Sequence, residues 1–455
     1  MKLVKSLLLG TVAGLAAVAG AQAADLPAKK AAPVEYVRVC STYGAGFFYI
    51  PGTETCLRVG GRVRADYLWN TPVRQFAGGA LIRGRAIDSV GFRARGRIQL
   101  DARTATAYGL LRSVVRFEIT RSSASPFGNT GVIGTSPNVA QAFVQFGGLT
   151  AGRVTSFFSN GDLPTGHMGT LRFDDAPDVD LLAYTFSFGN GFSASISLED
   201  GLERRNNSFI AGGLFATPIA YGGQRAPDVV ANLKYAGTWG TAQLSGAVHQ
   251  IRSNNLPGAG FTWGNGTVDY PDTDYGFAVA ASAGFNLPAL APGDALWFSA
   301  TYADGALAYL DGGNSGTIIS PRTEFGGGNI GLADAYVNTL TGDIKTGRGW
   351  AIAGGLRHYW TPQVRSNLFG SYMRVNYSGG SSFVNAVGAT VGLPDFSEYR
   401  VGANVFWQPV SGLDLGVEVI YANVDPRGRI GVPGFINTVS SSDAWEGRLR
   451  VQRDF

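Results

Sequence analysis

The sequence lacks any uninterrupted apolar stretch of 18 or more residues, which excludes helices that span a membrane. It has only two cysteines, Cys40 and Cys56, and three scattered histidines, so we expect no metal and no cofactor. Lys and Arg number 37 against 33 Asp and Glu, without the basic surplus of a nucleic-acid-binding protein, and no such partner is expected. The 65 glycines have no period of three, which excludes collagen.

Catalytic constellations are also lacking. Ser, His and Asp occur without a nucleophile elbow or the spacing of a catalytic triad. The glycine-rich pieces do not lie between a strand and a helix, as a phosphate-binding loop does. We therefore expect that the protein is not an enzyme. The Asp- and Asn-rich loops leave calcium binding open, although they have no EF-hand or nonapeptide spacing.

The N-terminus has the pattern of a cleaved secretory signal. Lys2 and Lys5 precede a short apolar run over residues 7–19, and Ala21 to Ala23 form an A-x-A cleavage site. We therefore expect a signal peptide over residues 1–23 and an exported protein. In an exported chain the two cysteines are expected to pair, within a mature N-terminal segment over residues 24–56. Residues 57–455 would form the main domain.

From Leu57 onward, polar and apolar side chains alternate with a period of two, which is the mark of strands with two unlike faces. The segments run for about 10 to 14 residues, the length of a tilted membrane-spanning strand rather than a soluble one. Aromatic residues cluster near the ends of the segments, and short connections alternate with long ones. These features favour a transmembrane β-barrel over a soluble β-sandwich.

The pattern predicts an all-β fold, a 16-stranded antiparallel transmembrane β-barrel with both chain ends on the side of the short turns. The expected strands cover residues 57–69, 89–104, 107–121, 138–147, 149–155, 180–189, 191–200, 228–239, 240–252, 274–287, 293–303, 347–360, 363–377, 395–409, 411–423 and 443–455. The last strand ends on Phe455, which we expect to act as a C-terminal assembly signal. On the fourth strand Ala140, Ala142, Val144 and Phe146 are expected to face outward, as a smooth surface for lipid or for a neighbouring subunit.

Arginines share one parity on each of the first three predicted strands. They are Arg62, Arg64, Arg93, Arg95, Arg97, Arg112 and Arg116. Because neighbouring strands lie about 4.8 Å apart, these side chains would form a basic patch on one wall of the barrel. One interpretation is the basic wall of a pore constriction. The other is a solvated lumen lining, partly neutralised by Asp66, Asp101 and Glu118.

The third long connection, over residues 156–180, is acidic. It carries Asp162, Asp174, Asp175, Asp178 and Asp180, the last two of which could instead begin the sixth strand. Opposite a basic wall, an acidic loop would create a transverse field across a narrow aqueous gap and bias ion passage. The alternative is a solvated surface loop with ordinary turn aspartates. His167 lies in this loop without a partner nearby in sequence.

Residues 24–67 resemble the start of the alphaproteobacterial porins. The resemblance covers the two cysteines around a YGAGFFYIPG run, the RVGGRVR strand that follows, and the ending WEGRLRVQRDF. It implies a trimer of sixteen-stranded barrels in the outer membrane, each with its third loop folded into the pore. It also implies passive diffusion of small hydrophilic solutes and ions. A substrate-specific outer-membrane channel and a surface adhesion barrel remain alternatives.

Overall fold

The structure is a computed structural model of the chain. The described residues are 38–72, 74–77, 80–83, 88–124, 127, 131–206, 216–255, 266, 269–313, 332–338, 341–377, 382–384, 390–431 and 438–455. The predicted signal peptide, residues 1–23, and residues 24–37 of the predicted mature segment lie outside this set.

Sixteen long antiparallel strands form the barrel within one sheet, to which three short strands, Phe47–Tyr49, Ala216–Pro218 and Ala335–Asn338, also belong. In chain order the sixteen are β1 (Cys56–Asn70), β2 (Val90–Thr106), β3 (Gly109–Ser123), β4 (Ile133–Phe146), β5 (Leu149–Thr155), β6 (Asp178–Gly189), β7 (Phe192–Glu199), β8 (Asp228–Gly237), β9 (Gly240–Ile251), β10 (Asp274–Asn286), β11 (Ala295–Asp304), β12 (Ile344–Thr361), β13 (Val364–Tyr377), β14 (Phe396–Val410), β15 (Leu413–Pro426) and β16 (Ser442–Asp454). Each strand pairs with the next, and β16 pairs with β1. The predicted 16-stranded barrel is therefore confirmed.

The seam of the barrel joins the first and the last of the sixteen strands, β1 and β16. Its register runs from Arg62 opposite Asp454 to Asn70 opposite Glu446. Beyond it, the amide of Gly61 donates to the carbonyl of Phe455 at 2.9 Å, and the amide of Phe455 donates back to Gly61 at 3.1 Å. The terminal residue thus takes part in closing the sheet.

The two faces of the strands differ as the alternation predicts. On β1 the side chains of Val59 and Val63 are 49% and 59% exposed on the outer surface. Arg62 and Arg64 lie on the opposite face and are partly buried. That face lines the lumen, because it continues onto β16, where Arg448 hydrogen-bonds to the main chain of a loop inside the barrel.

The strand β4 begins five residues earlier than predicted, at Ile133 instead of residue 138. Pro137 argues against a strand interior, because proline cannot donate a ladder hydrogen bond. It is accommodated because the pairing of β4 with β5 covers only Ala142–Phe146, which leaves the first part of β4 with one neighbour. The extra residue of a bulge near Phe117 is Ala140, which is buried rather than outward-facing as predicted.

The predicted disulfide is present between Cys40 and Cys56, with Cα atoms 5.9 Å apart. Both cysteines are buried against Phe47. The short strand Phe47–Tyr49 pairs with the start of β1, antiparallel to it. The bridge therefore ties the segment before the barrel to its first strand.

Helical structure in the described part of the chain is limited to three 3₁₀ turns, Ser41–Tyr43, Gly201–Arg204 and Leu307–Leu310. No helix among these residues is long and apolar enough to cross a membrane. The turn Leu307–Leu310 belongs to the sixth long loop (residues 305–343), and all four of its residues are fully buried.

An apolar core lies inside the barrel, along one side. Lumen-facing residues of β8 to β13 pack against the turn of the sixth loop; they include Val230, Ala247, Ala278, Ala303, Ala351, Met373 and Val375. On β8 to β13 the inner face carries these buried apolar residues beside polar ones such as Asn232 and Gln243. These strands carry apolar residues on both faces because the loops cover their inner face.

Candidate functional site

The arginines predicted as a basic wall all lie on the lumen face of β1 to β3. Arg62 is directly opposite Arg97, and Arg64 is directly opposite Arg95, so four arginines form a two-by-two block. Like charges directly opposite each other destabilise a sheet. Such a block therefore costs folding free energy unless counter-charges or water compensate it.

Three buried carboxylates lie among these arginines, and each contacts two arginines, at least one of which belongs to the predicted set. Asp66 is 2.5 Å from Arg93 and 2.6 Å from Arg450. Asp101 binds Arg103 and Arg112 at 2.8 and 2.9 Å, and Glu118 binds Arg95 and Arg97. Each group of three side chains therefore keeps one net positive charge. The carboxylates neutralise the wall in part, as the alternative interpretation proposed, but they do not cancel its charge.

Two of the predicted arginines hydrogen-bond to amides instead of carboxylates. Arg64 donates to the side chain of Gln452 at 2.8 Å, and Arg116 donates to that of Gln99 at 2.9 Å. The lumen face carries four arginines that the prediction omitted: two lie on β1 and β2, and closure of the barrel brings two more on β16, which lies next to β1. With these the basic wall, defined as the lumen face of β1 to β3 and β16, has eleven arginines and five carboxylates. The added arginines are Arg58, Arg103, Arg448 and Arg450.

The third loop (residues 156–177) folds into the barrel and lies against the inner faces of β13 to β16. The amides of Met168 and Gly169 each donate to the carboxylate of Glu418 at 2.7 Å. The amide of Arg172 donates to Ser371, and Asn404 donates to the carbonyl of Gly166. Main-chain groups of the third loop are thus hydrogen-bonded to polar side chains on the lumen face of β13 to β15.

The first part of the third loop is held by β8 and β9. The carbonyl of Phe157 accepts hydrogen bonds from Asn232 and Gln243. Asn160 hydrogen-bonds to Thr241 on β9. These polar anchors could not be identified from the sequence, because Asn, Gln and Thr on a lumen face resemble ordinary water-facing residues.

The predicted acidic residues of the loop have different environments. Asp174 is buried and binds Arg204 at 2.6 Å, so it does not face open lumen. Asp162 is exposed and lies 2.7 Å from Lys234. Asp175 is also exposed, 3.5 Å from the ring of His167. Asp178 begins β6 and accepts hydrogen bonds from the side chains of Gln141 and Thr155.

Two buried arginines connect the third loop to the loops behind it. Arg172 binds Asp311 of the sixth loop at 2.9 Å and Glu398 of β14 at 2.8 Å. Burial raises the pKa of the Asp311 carboxyl to about 7, against the attraction of Arg172. Arg204, in the loop after β7, stacks over the ring of Tyr309 at 4.4 Å. The sixth loop thus supports the third loop from behind.

Tyr309 is the centre of this internal packing. Its ring is 4.6 Å from that of Phe158, and its hydroxyl donates to Asp228 at 2.7 Å. Burial raises the pKa of the Tyr309 phenol well above its usual range, so the hydroxyl remains a proton donor. The third and sixth loops therefore fill one side of the barrel.

One acidic cluster outside the wall consists of Asp180, Asp200 and Glu203, whose carboxylates lie close enough to share an ion. Arg153 already contacts it, 2.6 Å from Glu203 and 3.8 Å from Asp180. The guanidinium supplies the positive charge that a cation would bring.

Comparisons with known proteins agree with this architecture. The family model of the porin subfamily matches residues 25–447. The porin Omp2b of Brucella abortus (strain 2308) is 29% identical over 461 residues, covering 99% of both chains, and Omp2b of Brucella melitensis biotype 1 is equally similar. The crystal structure of the outer membrane channel DcaP of Acinetobacter baumannii superposes with a TM-score of 0.59 at 16% identity. That match covers 90% of this chain and 99% of DcaP.

Proposed function

The chain belongs to the porin subfamily of outer-membrane channels, and we propose that small hydrophilic solutes and ions diffuse passively through the gap between its basic wall and its third loop. The support is the unequal filling of the barrel. Arg93, Arg95 and Arg97 on the basic wall keep side-chain exposures of 17%, 27% and 21%. Opposite them, Ala303, Met373 and Val375 are inaccessible to solvent.

The mechanism is selection by size and by charge, without energy input. Solutes too wide for the gap are excluded by packed loops that have little room to yield, since protein interiors are close-packed. The guanidinium and carboxylate groups act on a passing solute over a short distance. The water layer between them is bounded by protein, so their electric field is stronger there than in bulk water.

Planar-bilayer recording tests the proposal. Purified protein is expected to give discrete conductance steps that rise with salt concentration. Failure to conduct despite verified insertion would reject it. Saturable flux of a single solute would instead favour the substrate-specific channel.

Thiol labelling locates the path, because neither cysteine is free. A charged methanethiosulfonate reagent is expected to lower the conductance of the Arg95→Cys variant, whose new thiol faces the gap. Arg427→Cys, at an exposed loop position, is the matched control and should keep its conductance. Equal effects on both variants would show that the path lies elsewhere.

We also propose a homotrimer, as the resemblance to trimeric porins implies. The support is the first part of β4, where Ile133 and Val139 are exposed and the described residues provide a neighbouring strand on one side only. An open sheet edge is unfavourable in lipid. Native mass spectrometry in detergent is the test, and a monomer mass alone would contradict the proposal.

A further inference from the structure

A recess of about 280 Å³ opens in the basic wall at Gly60, where β1 has no side chain on its lumen face. Arg58 and Arg62 flank Gly60 along β1, and Gln99 lies opposite it on β2. Arg97 and Arg116 are further lining residues. Four guanidiniums therefore surround one small space.

The side-chain carboxylates that line this recess are already engaged, and the oxygen of Phe455, which also lines it, accepts a hydrogen bond from the amide of Gly61. Asp101 binds Arg103 and Arg112, and Asp454 binds Arg62. Arg97 shares Glu118 with Arg95. The balance of charge at the recess therefore remains positive.

Arg116 keeps capacity to bind a ligand. Within the described chain its guanidinium makes one hydrogen bond, through Nε to the neutral side chain of Gln99. Guanidinium groups have five N–H donors, in a planar fork that matches the oxygens of carboxylate and phosphate. The next lumen-facing partner of Arg116 across the sheet is Gln141, which binds Asp178 at the start of β6.

The third loop provides few opposing charges. Asp174 is buried against Arg204, and Asp162 is next to Lys234. Asp175 of the loop, and Asp178 at the start of β6, remain as counter-charges against the excess of arginine on the wall. A diffusing anion is therefore attracted to the wall more strongly than a cation is attracted to the loop.

We propose that the Gly60 recess is a binding subsite for small oxyanions, carboxylates or phosphates, and that it makes the channel selective for anions. This inference rests on the proposed function and adds the charge class of its solutes. Arg62, Arg97 and Arg116 would contact the anion. Its negative charge would relieve the repulsion between the directly opposed arginines Arg62 and Arg97.

Bilayer recording distinguishes a binding subsite from the general electrostatic attraction of the basic wall for anions. In a KCl gradient the reversal potential is expected to show that chloride is several-fold more permeant than potassium. Added inorganic phosphate is expected to reduce the chloride current with saturation, because it occupies the recess.

Three variants complete the test. Arg116→Gln is expected to weaken both the anion preference and the phosphate block, whereas Arg116→Lys should retain the preference because it keeps the charge. Gly60→Val places a side chain in the recess without a change of charge, so phosphate block should weaken while the sign of the reversal potential stays. Arg427→Gln removes an equal charge from an exposed loop and should change neither.

Equal or cation-biased permeability in a conducting wild type would overturn the inference and leave the proposed function intact. Unchanged phosphate block in both Arg116→Gln and Gly60→Val would also overturn it. Absence of any conductance by inserted wild-type protein would instead reject the proposed function.

Discussion

Arg204 and Asp174 form an ion pair of 2.6 Å inside the barrel, with side chains that are 0% and 4% exposed. Asp174 belongs to the third loop, and Arg204 to the 3₁₀ turn after β7. Asp174 also accepts a hydrogen bond from the hydroxyl of Ser159 at the other end of the third loop. The most deeply buried aspartate of that loop thus fixes its shape instead of facing the solute.

Replacing Asp174 with Asn should therefore destabilise the third loop. Loss of one partner from a buried ion pair leaves an uncompensated charge, at a cost of about 3–5 kcal/mol. We expect a lower midpoint of urea unfolding in detergent and noisier conductance steps. Asp162→Asn is the matched control, because its pair with Lys234 is exposed and should be worth about 1 kcal/mol or less. Equal losses in the two variants would contradict the anchoring role of Asp174.

Tyr309 should control the width of the gap without touching the solute. Tyr309→Ala removes the ring between Phe158 and Arg204, a loss of about 3–5 kcal/mol for a buried aromatic side chain. The third loop can then move back into the cavity, so single-channel conductance should rise. Tyr309→Phe keeps the ring and removes only the hydrogen bond to Asp228, and its conductance should stay near that of the wild type. A conductance unaffected by Tyr309→Ala would show that the sixth loop does not position the third.

The barrel could be predicted from the sequence because its alternation has a period of two. Arg62 and Val63 face opposite sides in the structure, as their spacing indicates. The same rule placed the predicted arginines on one face. It rests on local geometry and therefore needs no knowledge of distant contacts.

The loop core could not be predicted in this way. Arg172 and Asp311 are 139 residues apart in the chain, and no local sequence pattern predicts their contact. Met373 and Tyr372 face opposite sides of β13 and are both apolar or aromatic, so alternation does not show which one meets lipid and which one meets a loop. Asp174 looked like its exposed neighbour Asp175 because sequence spacing does not report burial.

Stability should depend on pH through Asp311. Burial raises the pKa of this carboxyl to about 7 in the folded protein, whereas an unfolded Asp titrates near about 3.9. Between these values the folded state holds a proton that the unfolded state has released. The contribution to stability is therefore fully present below about pH 4 and is lost as the pH rises through about 7. Urea unfolding of Asp311→Asn should show a flatter pH profile over this range, and an unchanged slope would refute the assignment.

Gly61 should be essential for seating the last residue of the chain. The ring of Phe455 lies over Gly61 on the outer face, and a Cβ at position 61 would meet that ring and approach the carbonyl of Arg97 at 2.9 Å. Gly61→Ala is therefore expected to slow barrel assembly, measured as the yield of the heat-modifiable folded form on a gel. Gly96→Ala, on the neighbouring strand β2, is the matched control, because a Cβ there has no neighbour within 4 Å.

The reciprocal variant Phe455→Ala separates two causes of such a defect. Suppose that Gly61→Ala lowers the folded yield because it displaces the ring. The double variant should then have nearly the same yield as Phe455→Ala alone, since the effects of contacting residues are not additive. If the two losses add fully, the clash with the carbonyl of Arg97 is the cause. In that case the seam, rather than the terminal aromatic ring, limits assembly.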